Sequence, residues 1–342
     1  MRRWASRLRR ARLGVLLALL AVSGAGGAQA WGQDGRSDVV IDDPRVVESS
    51  GLAVAPTDDR LLYTVNDSGN EPVVYVVDRV DGQVVGTTTL AGVDSDTDDL
   101  EALAVGPDGR LWVADTGDNG GDRSDTALYA LPAPGRGDSS RTPVAYPLEY
   151  ADGPSDVEAL LVDPVGGAGW LVTKGVFGGQ LLRLPRLPAP GQPVTPAPVA
   201  GVDLPGLVTD GTVLPGGEAA VLRTYTDAYV YRLPGWTPAG SFVLPRQEQG
   251  ETVTALSATL LLAGSEGNPA LIDEVPVPRD VLAALAGPAS PDVRPRSPEP
   301  PSGDGGESGP GTAVLVGAGS LAVGVALAAL GLRAGRARRR TG

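Results

Sequence analysis

The chain has no cysteine and no histidine among its 342 residues. The lack of cysteine excludes a disulfide framework, a thiolate metal site and a cysteine nucleophile. The lack of histidine excludes a Ser-His-Asp triad, imidazole general-base catalysis and the usual histidine-containing zinc sites. Aromatic residues make up only 4% of the chain, whereas Gly (48) and Pro (31) are abundant. This composition favours many short strands and turns over long helices.

Basic residues are scarce in the middle of the chain. Eleven of the 28 Lys and Arg residues lie in residues 1–30 and 312–342, which contain no acid. Residues 31–311 therefore hold 17 basic and all 41 acidic residues, a net charge of −24. Such a surface argues against nucleic-acid binding, because phosphate contacts need clustered Lys and Arg. It suits an extracellular protein, or one that binds cations or basic partners.

The first 30 residues have the three parts of a secretory signal peptide. An Arg-rich start is followed by the apolar run Leu13–Val22 and by a small-residue tail that ends at Ala30. The apolar run is too short to span a bilayer as a membrane anchor. We therefore expect residues 1–30 to be removed on export.

The C-terminal end predicts a single membrane span. Residues 312–332 are 21 uncharged, mostly apolar residues, long enough to cross a bilayer, and the basic tail 333–342 follows at once. Residues 287–311 are rich in Pro, Gly and acid and cannot form a core, which predicts a disordered stalk. The expected protein is a single-pass cell-membrane protein with residues 31–286 extracellular and a cytoplasmic C-terminus.

Residues 31–286 contain five related segments. In each one an apolar run, a Pro/Gly/Asp turn and a second apolar run predict a β-hairpin, and a third strand follows. The first residues of successive copies are separated by 51, 57, 51 and 42 positions. A fourth strand follows in the first four copies. The fifth copy lacks one, and an unassigned strand at residues 37–49 is left over at the other end of the domain.

This arrangement predicts an all-β fold. If the N-terminal strand joins the fifth sheet, five four-stranded blades close into a β-propeller that leaves only short, protected edges. Six blades remain an alternative if the long segments 132–157 and 185–209 contain further strands. A β-sandwich of similar hairpins is a second alternative, although a sandwich needs no period near 50 residues.

Propeller geometry brings the start of each first strand and the end of each second strand to one mouth of the central channel. The first strands begin at Ser50, Glu101, Glu158, Thr209 and Glu251, and the second strands end at Asn66 and Asp67, Asp115, Lys174, Arg223 and Glu266. Carboxylates with one Lys and one Arg indicate a cation site, or a site for an anion bridged by metal. The expected ligand-binding residues are Glu101, Glu158, Glu251, Asp67, Lys174 and Arg223.

The loop Thr116–Asn119, with the sequence TGDN, follows the second strand of the second unit. Asp, Asn and Gly are also the residues that ordinary turns require, so a plain turn remains open for this loop. The match to an EF-hand fails, because Gly117 and Thr126 stand where that motif needs an oxygen ligand and a Glu.

Several motifs resemble a group of exported bacterial β-propellers, often of undefined function. They are NDSGN, LEALAVGPDGRLWVADTGDN, SDVEALLVD, LVTKG, RTYTDAYVYRL and GSEG, and the resemblance covers about 48–278. The preference for Arg is similar to that of actinobacterial proteins. A more distant similarity is to regucalcin/gluconolactonase-type and phytase-like propellers, which implies a divalent cation, such as Ca²⁺, at the channel mouth. By position, the implied metal ligands are Glu101, Asp115, Asn119 and Glu158.

Two departures weaken any transfer of a reaction from those families. Lactonase-type rings have six blades, and this chain lacks the dense Asp array and basic phosphate pocket of the phytases. Our first hypothesis is a module that binds a protein or small-molecule ligand. The alternative is a metal-dependent lactonase or phosphoesterase, in which Glu158 is the general base and Lys174 or Arg223 stabilises developing charge. A purely structural surface protein is a third reading.

Overall fold

The structure, a computed structural model, describes residues 38–67, 69–95, 97–187 and 189–287. The predicted signal peptide (1–30), the span (312–332) and the basic tail (333–342) lie outside these residues, as does the predicted stalk beyond Gly287. Within the described residues, no helix has the length and apolar character that a membrane crossing requires.

The described residues form short β-strands and one helix. In chain order these elements are β1 (Val39–Ile41), β2 (Ser49–Val54), β3 (Leu61–Asn66), β4 (Val73–Asp78), β5 (Gln83–Leu90), β6 (Leu100–Val105), β7 (Arg110–Asp115), β8 (Ala127–Pro132), β9 (Ser139–Arg141), β10 (Val144–Pro147), β11 (Val157–Val162), β12 (Gly169–Thr173), β13 (Leu181–Arg183), β14 (Ala197–Pro198), β15 (Val208–Val213), β16 (Ala219–Thr224), β17 (Asp227–Arg232), β18 (Thr237–Val243), β19 (Gly250–Ser257), β20 (Leu260–Ser265), β21 (Ala270–Pro276) and α1 (Arg279–Ala286).

The strands form five sheets, the blades of a β-propeller. Their strand orders are β2-β3-β4-β5-β9, β6-β7-β8-β10, β11-β12-β13-β14, β15-β16-β17-β18 and β19-β20-β21-β1. Each first strand packs against the first strands of both neighbouring blades, so β2, β6, β11, β15 and β19 make a closed inner ring. The prediction of a five-bladed propeller is confirmed, and the sandwich alternative is wrong.

The N-terminal strand closes the ring, as the sequence predicts. β1 pairs antiparallel with β21, with Val39 opposite Ile272 and Ile41 opposite Ala270. Val39 and Ile41 are buried in an apolar cluster that contains residues of the first and fifth blades. Ring closure therefore combines a strand pairing with the burial of two aliphatic side chains.

The six-bladed alternative is wrong, because the strands of the long segments complete existing blades. Within residues 132–157, β10 pairs with β8 as the fourth strand of the second blade. β9 instead crosses to the first blade and pairs in parallel with β5. Within the described part of 185–209, β14 is the fourth strand of the third blade. β9 thus covers an outer edge that would otherwise be exposed for pairing.

Helix α1 follows the last blade and was not predicted. It contacts β18 of the fourth blade and buries Val281 in the apolar cluster between the fourth and fifth blades. Arg232 donates hydrogen bonds to the carbonyl oxygens of Ala284 and, at 3.0 Å, of Gly287. The chain therefore leaves the domain along the outside of the fourth blade.

Ring closure can be tested with two substitutions in β1. Ile41 is fully buried, so Ile41→Ala is expected to lower the free energy of unfolding by about 2–5 kcal/mol, measured by chemical denaturation. Val40 lies in the same strand but is 41% exposed, so Val40→Ala should change it by no more than about 0.5 kcal/mol. Equal effects of the two substitutions would contradict a closing role for β1.

Candidate functional site

Each innermost strand has a β-bulge near its start. Glu101, Glu158, Thr209 and Glu251 are the extra residues, because their neighbours on both sides pair with consecutive residues of the second strand. In the first blade the extra residue is Gly51, beside Ser50. Bulges re-aim a side chain at the rim of a sheet. The three glutamates therefore occupy one structural position at the same mouth of the channel.

Gly51 shows why the first blade differs. Its φ is +70°, and a Cβ atom there would lie 2.8–2.9 Å from the backbone of Ala102 and Leu103 in the second blade. Only glycine combines this conformation with such a close approach. The first two innermost strands therefore meet closely at the mouth, and Ser50 Oγ lies 3.0 Å from Glu101 Oε2 and donates a hydrogen bond to it.

Three carboxylates converge where the first and second blades meet. Oxygen atoms of Asp67, Asp99 and Glu101 all lie within 4.8 Å of one another. Asp67 follows β3, and Asp99 directly precedes β6. A Cβ atom on Gly117 would collide with the carboxylates of Asp99 and Glu101, so glycine leaves the space that this trio occupies.

The trio is electrostatically unfavourable when it is ionised. Burial raises the pKa of Asp99 to about 8, with a further rise from the hydrogen bond to Asp67 and from its charge. Burial also raises the pKa of Glu101 well above its usual range, and the charges of Glu158, Asp67 and Asp99 add to this effect. Either protons or a bound cation would relieve the repulsion.

Two ion pairs flank the trio. Arg123 Nη2 lies 2.7 Å from Asp115 Oδ1, and Lys174 Nζ lies 2.9 Å from Glu158 Oε1. Burial raises the pKa of Glu158 to about 8, although the Lys174 ammonium group acts in the opposite direction. Lys174 Nζ also lies 5.8 Å from the centre of the Tyr225 ring.

The four predicted metal ligands are therefore not brought together as one set. Glu101 lies in the trio, whereas Asp115 and Glu158 each have a cationic partner. Asn119 is exposed on the turn that follows β7. The trio is completed by Asp67 and Asp99. The sequence predicts Asp67 as a ligand-binding residue but does not predict Asp99.

The TGDN loop is a turn that also positions a side chain of the mouth. Asp118 Oδ1 accepts hydrogen bonds from the backbone N–H groups of Asp122 and Arg123 at 2.9 and 3.2 Å. Arg123 in turn donates to Gly117 O at 2.8 Å and pairs with Asp115. The loop therefore places the guanidinium group that neutralises Asp115.

Glu251 belongs to a second acidic group, in the fifth blade. Gln249 Nε2 donates hydrogen bonds to Glu251 Oε1, at 3.4 Å, and to Glu266 Oε2. Burial raises the pKa of both glutamates to about 7. The Lys174 ammonium group acts to lower the pKa of both glutamates.

Arg223 lies between blades and away from the open mouth. Its side chain is fully buried, and Nη1 donates to the carbonyl oxygens of Thr252 and Gly264 at 2.7 and 2.9 Å. Nη2 donates to Gln247 Oε1 at 2.6 Å. Burial lowers the pKa of Arg223 to about 10. The guanidinium group thus joins the fourth and fifth blades and is not accessible to a ligand.

Sequence reasoning missed four aspartates at the mouth. They are Asp98, Asp99, Asp118 and Asp156. Among the described residues, Asp98 Oδ1, Asp99 Oδ1 and Asp118 Oδ2 are buried carboxylate oxygens without a hydrogen-bond partner. A repeated D-x-E pattern could have indicated two of them, because Asp99 precedes Glu101 and Asp156 precedes Glu158 by two residues.

An apolar loop forms part of the rim beside Lys174. Val176 is 58% exposed, and Phe177 is 100% exposed. The loop is held in place because Leu207 N–H donates to Gly175 O at 2.8 Å and Gly179 N–H donates to Pro205 O at 3.0 Å. An aromatic side chain is thus presented to solvent by a hydrogen-bonded loop.

Comparisons with known proteins find only distant structural similarity. No protein-family model matches the chain, and no curated protein is significantly similar to it. An auxiliary nutrient binding protein from Bacteroides thetaiotaomicron is similar at 10% identity and a TM-score of 0.40. It is matched over 67% of this chain, which spans 57% of that protein's length.

Two other solved structures are similar to this chain. A gluconolactonase from Xanthomonas campestris is 16% identical with a TM-score of 0.43, over 67% of this chain and 72% of its own. The β-propeller domain of Cps50 (Swd1) from Myceliophteria thermophila is 14% identical with a TM-score of 0.37, over 68% and 70%. Similarities this low carry no argument about activity.

The mouth carboxylates predict an unusual pH dependence in the absence of metal. Their pKa values are raised to about 7 or 8 in the folded protein, so between pH 5 and 8 the folded state binds more protons than the unfolded state. Stability is therefore greatest at the acid end of this window and falls as the pH rises through the folded pKa values. We expect the melting temperature in EDTA to fall from pH 5 to pH 8.

The same measurement has a built-in control. Glu251→Gln removes one of these groups and should make the fall with pH less steep. Asp108→Asn, in an exposed turn at the opposite mouth, should leave the slope unchanged. A melting temperature that rises from pH 5 to pH 8 would contradict the raised pKa values, because it would show that ionisation of the mouth carboxylates does not destabilise the folded protein.

Proposed function

We propose that this protein is a membrane-anchored, extracellular β-propeller that binds a ligand at the acidic mouth of its channel through a divalent cation. The observation that carries the proposal is the trio of Asp67, Asp99 and Glu101. Closely spaced carboxylate oxygens are the ligands that Ca²⁺ and Mg²⁺ prefer. A divalent cation would remove the repulsion that raises the pKa values of Asp99 and Glu101.

The proposed location outside the cell is supported by the two ends of the chain. Residues 1–30 have the pattern of a signal peptide, and residues 312–332 have the length and composition of a membrane span. The basic tail, residues 333–342, places the C-terminus in the cytoplasm by the positive-inside rule. The absence of cysteine in the extracellular part means that the closed ring must be stable without disulfides.

The surroundings of the trio indicate what the ligand would carry. Lys174 is the basic side chain beside Glu158, and Phe177 is an exposed aromatic group on the rim. An anionic group on the ligand would contact the cation and Lys174, while an apolar part would pack against Val176 and Phe177. Both a small molecule and a segment of a partner protein fit this description.

Cation binding predicts a thermal shift. Adding Ca²⁺ or Mg²⁺ at 100 times its Kd to the metal-free protein should stabilise the fold by about 2.7 kcal/mol, a rise of a few degrees in Tm. Because protons compete for the same oxygens, the apparent affinity should rise between pH 6 and 8. Differential scanning fluorimetry at several pH values measures both effects.

Two variants at the trio and one control make the test specific. Asp99→Asn and Glu101→Gln should abolish the cation-induced shift while raising the Tm of the metal-free protein at pH 8, because an amide neither takes up a proton on folding nor holds a repelled charge. Asp108→Asn should retain the full shift. A shift that survives in both trio variants would place the cation elsewhere.

Hydrolysis of a lactone or phosphoester is the second candidate, favoured by the Glu158–Lys174 pair. A carboxyl group with a pKa of about 8 is suited to proton transfer near neutral pH, and Lys174 Nζ lies 2.9 Å from it. In this reaction Glu158 would accept the proton of the attacking water, and Lys174 would stabilise developing negative charge. A bound divalent cation would supply Lewis acidity to the substrate oxygen. The buried Arg223 is not available for this role.

Glu158→Gln separates the two functions. If the protein is a hydrolase, this variant should lose about 10²–10⁴-fold in kcat for lactone or phosphoester hydrolysis, while circular dichroism shows an intact fold. If the protein is a binding module, the wild type should show no turnover above an EDTA-treated control, and the cation-induced shift should persist. Full activity in Glu158→Gln would remove Glu158 from any catalytic role.

A further inference from the structure

The opposite mouth of the channel is made of apolar residues. The innermost strands end there at Val54, Val105, Val162, Val213 and Leu256 or one residue beyond. In the first four blades the valine is followed, two residues later, by a proline that begins the turn to the second strand: Pro56, Pro107, Pro164 and Pro215. The repeated V-x-P pattern thus produces a ring at one end of the channel.

These residues line a cavity of about 420 Å³. All five innermost strands contribute to its wall, and none of its lining residues has an ionisable side chain. The hydroxyl groups of Thr212 and Thr254 are the polar side-chain groups of the lining. The cavity is therefore uncharged, in a chain of which 20% of the residues are charged.

Packing and turn formation explain only part of this composition. Proline at the first position of a turn fixes the backbone angle that the turn needs, and small residues allow five strands to approach one another. Four half-buried residues pack against the apolar clusters between the blades and also line the cavity: Val54, Val105, Val162 and Leu256. Solvent-exposed turns usually carry polar side chains at such positions. A ring of apolar side chains there is a feature of ligand-binding surfaces.

We propose that this cavity is a second binding site, which takes a neutral small molecule. Its volume lies in the range of small-molecule sites, about 300–1,000 Å³, and its concave wall is formed by the strands themselves. A charged ligand would lose its hydration there without gaining a partner of opposite charge. The site is independent of the proposed cation site, because the two lie at opposite mouths of the channel.

A matched pair of fluorescent probes tests this proposal. N-phenyl-1-naphthylamine is neutral, and 1-anilinonaphthalene-8-sulfonate has the same rings with one added sulfonate. We titrate the purified protein with each probe in EDTA, so that no divalent cation contributes. The neutral probe should bind saturably with one site per chain, and the anionic probe should bind at least tenfold more weakly.

Three variants locate the bound probe. Val105→Asp introduces a charge into the lining, and Ala255→Phe fills part of the cavity, so each should weaken binding of the neutral probe at least tenfold. Val80→Asp adds the same charge at a 65% exposed position that does not line the cavity, and should leave the affinity unchanged. Melting temperatures check that every variant is folded.

The outcomes are distinct. The site is supported if either folded cavity variant binds the neutral probe more weakly while Val80→Asp binds it normally. If Val105→Asp does not fold, the result for Ala255→Phe is sufficient. Equal affinities for the two probes, or binding unaffected by Ala255→Phe, would overturn the proposal. Failure of the neutral probe to bind the wild type would also overturn it, and would leave the ring as a packing surface or a contact for another macromolecule.

Discussion

Closure of the ring by β1 is the constraint on which the rest of this structure depends. The first strand supplies three residues, Val39–Ile41, to the sheet that contains the last strand, β21. That pairing brings β19 against β2, so that each innermost strand has a neighbour on both sides. Closure brings the fifth blade beside the first, so Glu251 and Glu266 reach the same mouth as the trio of Asp67, Asp99 and Glu101. Loss of closure would separate these two acidic groups, which are distant along the chain, and would open the channel.

Buried charges in this protein fall into two groups. Arg223 donates to three acceptors, and the carboxylate of the fully buried Asp210 accepts hydrogen bonds from the backbone N–H groups of Gly211 and Val253, each at 2.7 Å. These groups connect the fourth and fifth blades, and most of their hydrogen-bonding capacity is used. Asp98 and Asp99 are also buried, yet each has a carboxylate oxygen without a partner among the described residues. Arg223 Nε is also without a partner among the described residues, so one unpaired atom does not by itself mark a ligand site. The mouth differs because its unpaired atoms are carboxylate oxygens grouped around the trio, which is the arrangement behind the proposed cation site.

The sequence predicts the fold better than the site, for physical reasons that particular residues illustrate. A repeated hairpin and a leftover strand determine the number of blades and the way the ring closes, because the leftover strand can complete the one unit that lacks a fourth strand. β9 escapes prediction because its sequence, Ser-Ser-Arg, is polar and shows no apolar alternation. Glu101 is predicted because it directly begins an innermost strand, whereas Asp99 lies in the preceding loop and meets Asp67 only through contact between blades. Arg223 has the expected position in β16, but strand alternation alone does not say that its side chain enters the space between the blades.

The two mouths of the channel differ in symmetry as well as in charge. The ends of the five innermost strands have similar sequences. A side-chain type at one strand end therefore occurs several times around the ring. At the apolar mouth four blades carry the same valine, and the surface is nearly uniform around the channel. At the acidic mouth Gly51 and Thr209 replace the glutamate in two blades, the carboxylate trio lies between the first two blades, and Lys174 belongs to the third. A uniform apolar ring distinguishes ligands mainly by size and charge, whereas an asymmetric set of carboxylates, ammonium group and exposed Phe177 can also fix a ligand's orientation. If the two proposed sites bind ligands, the channel combines a selective end with a permissive one, and both arise from variation at the ends of the same repeated strand.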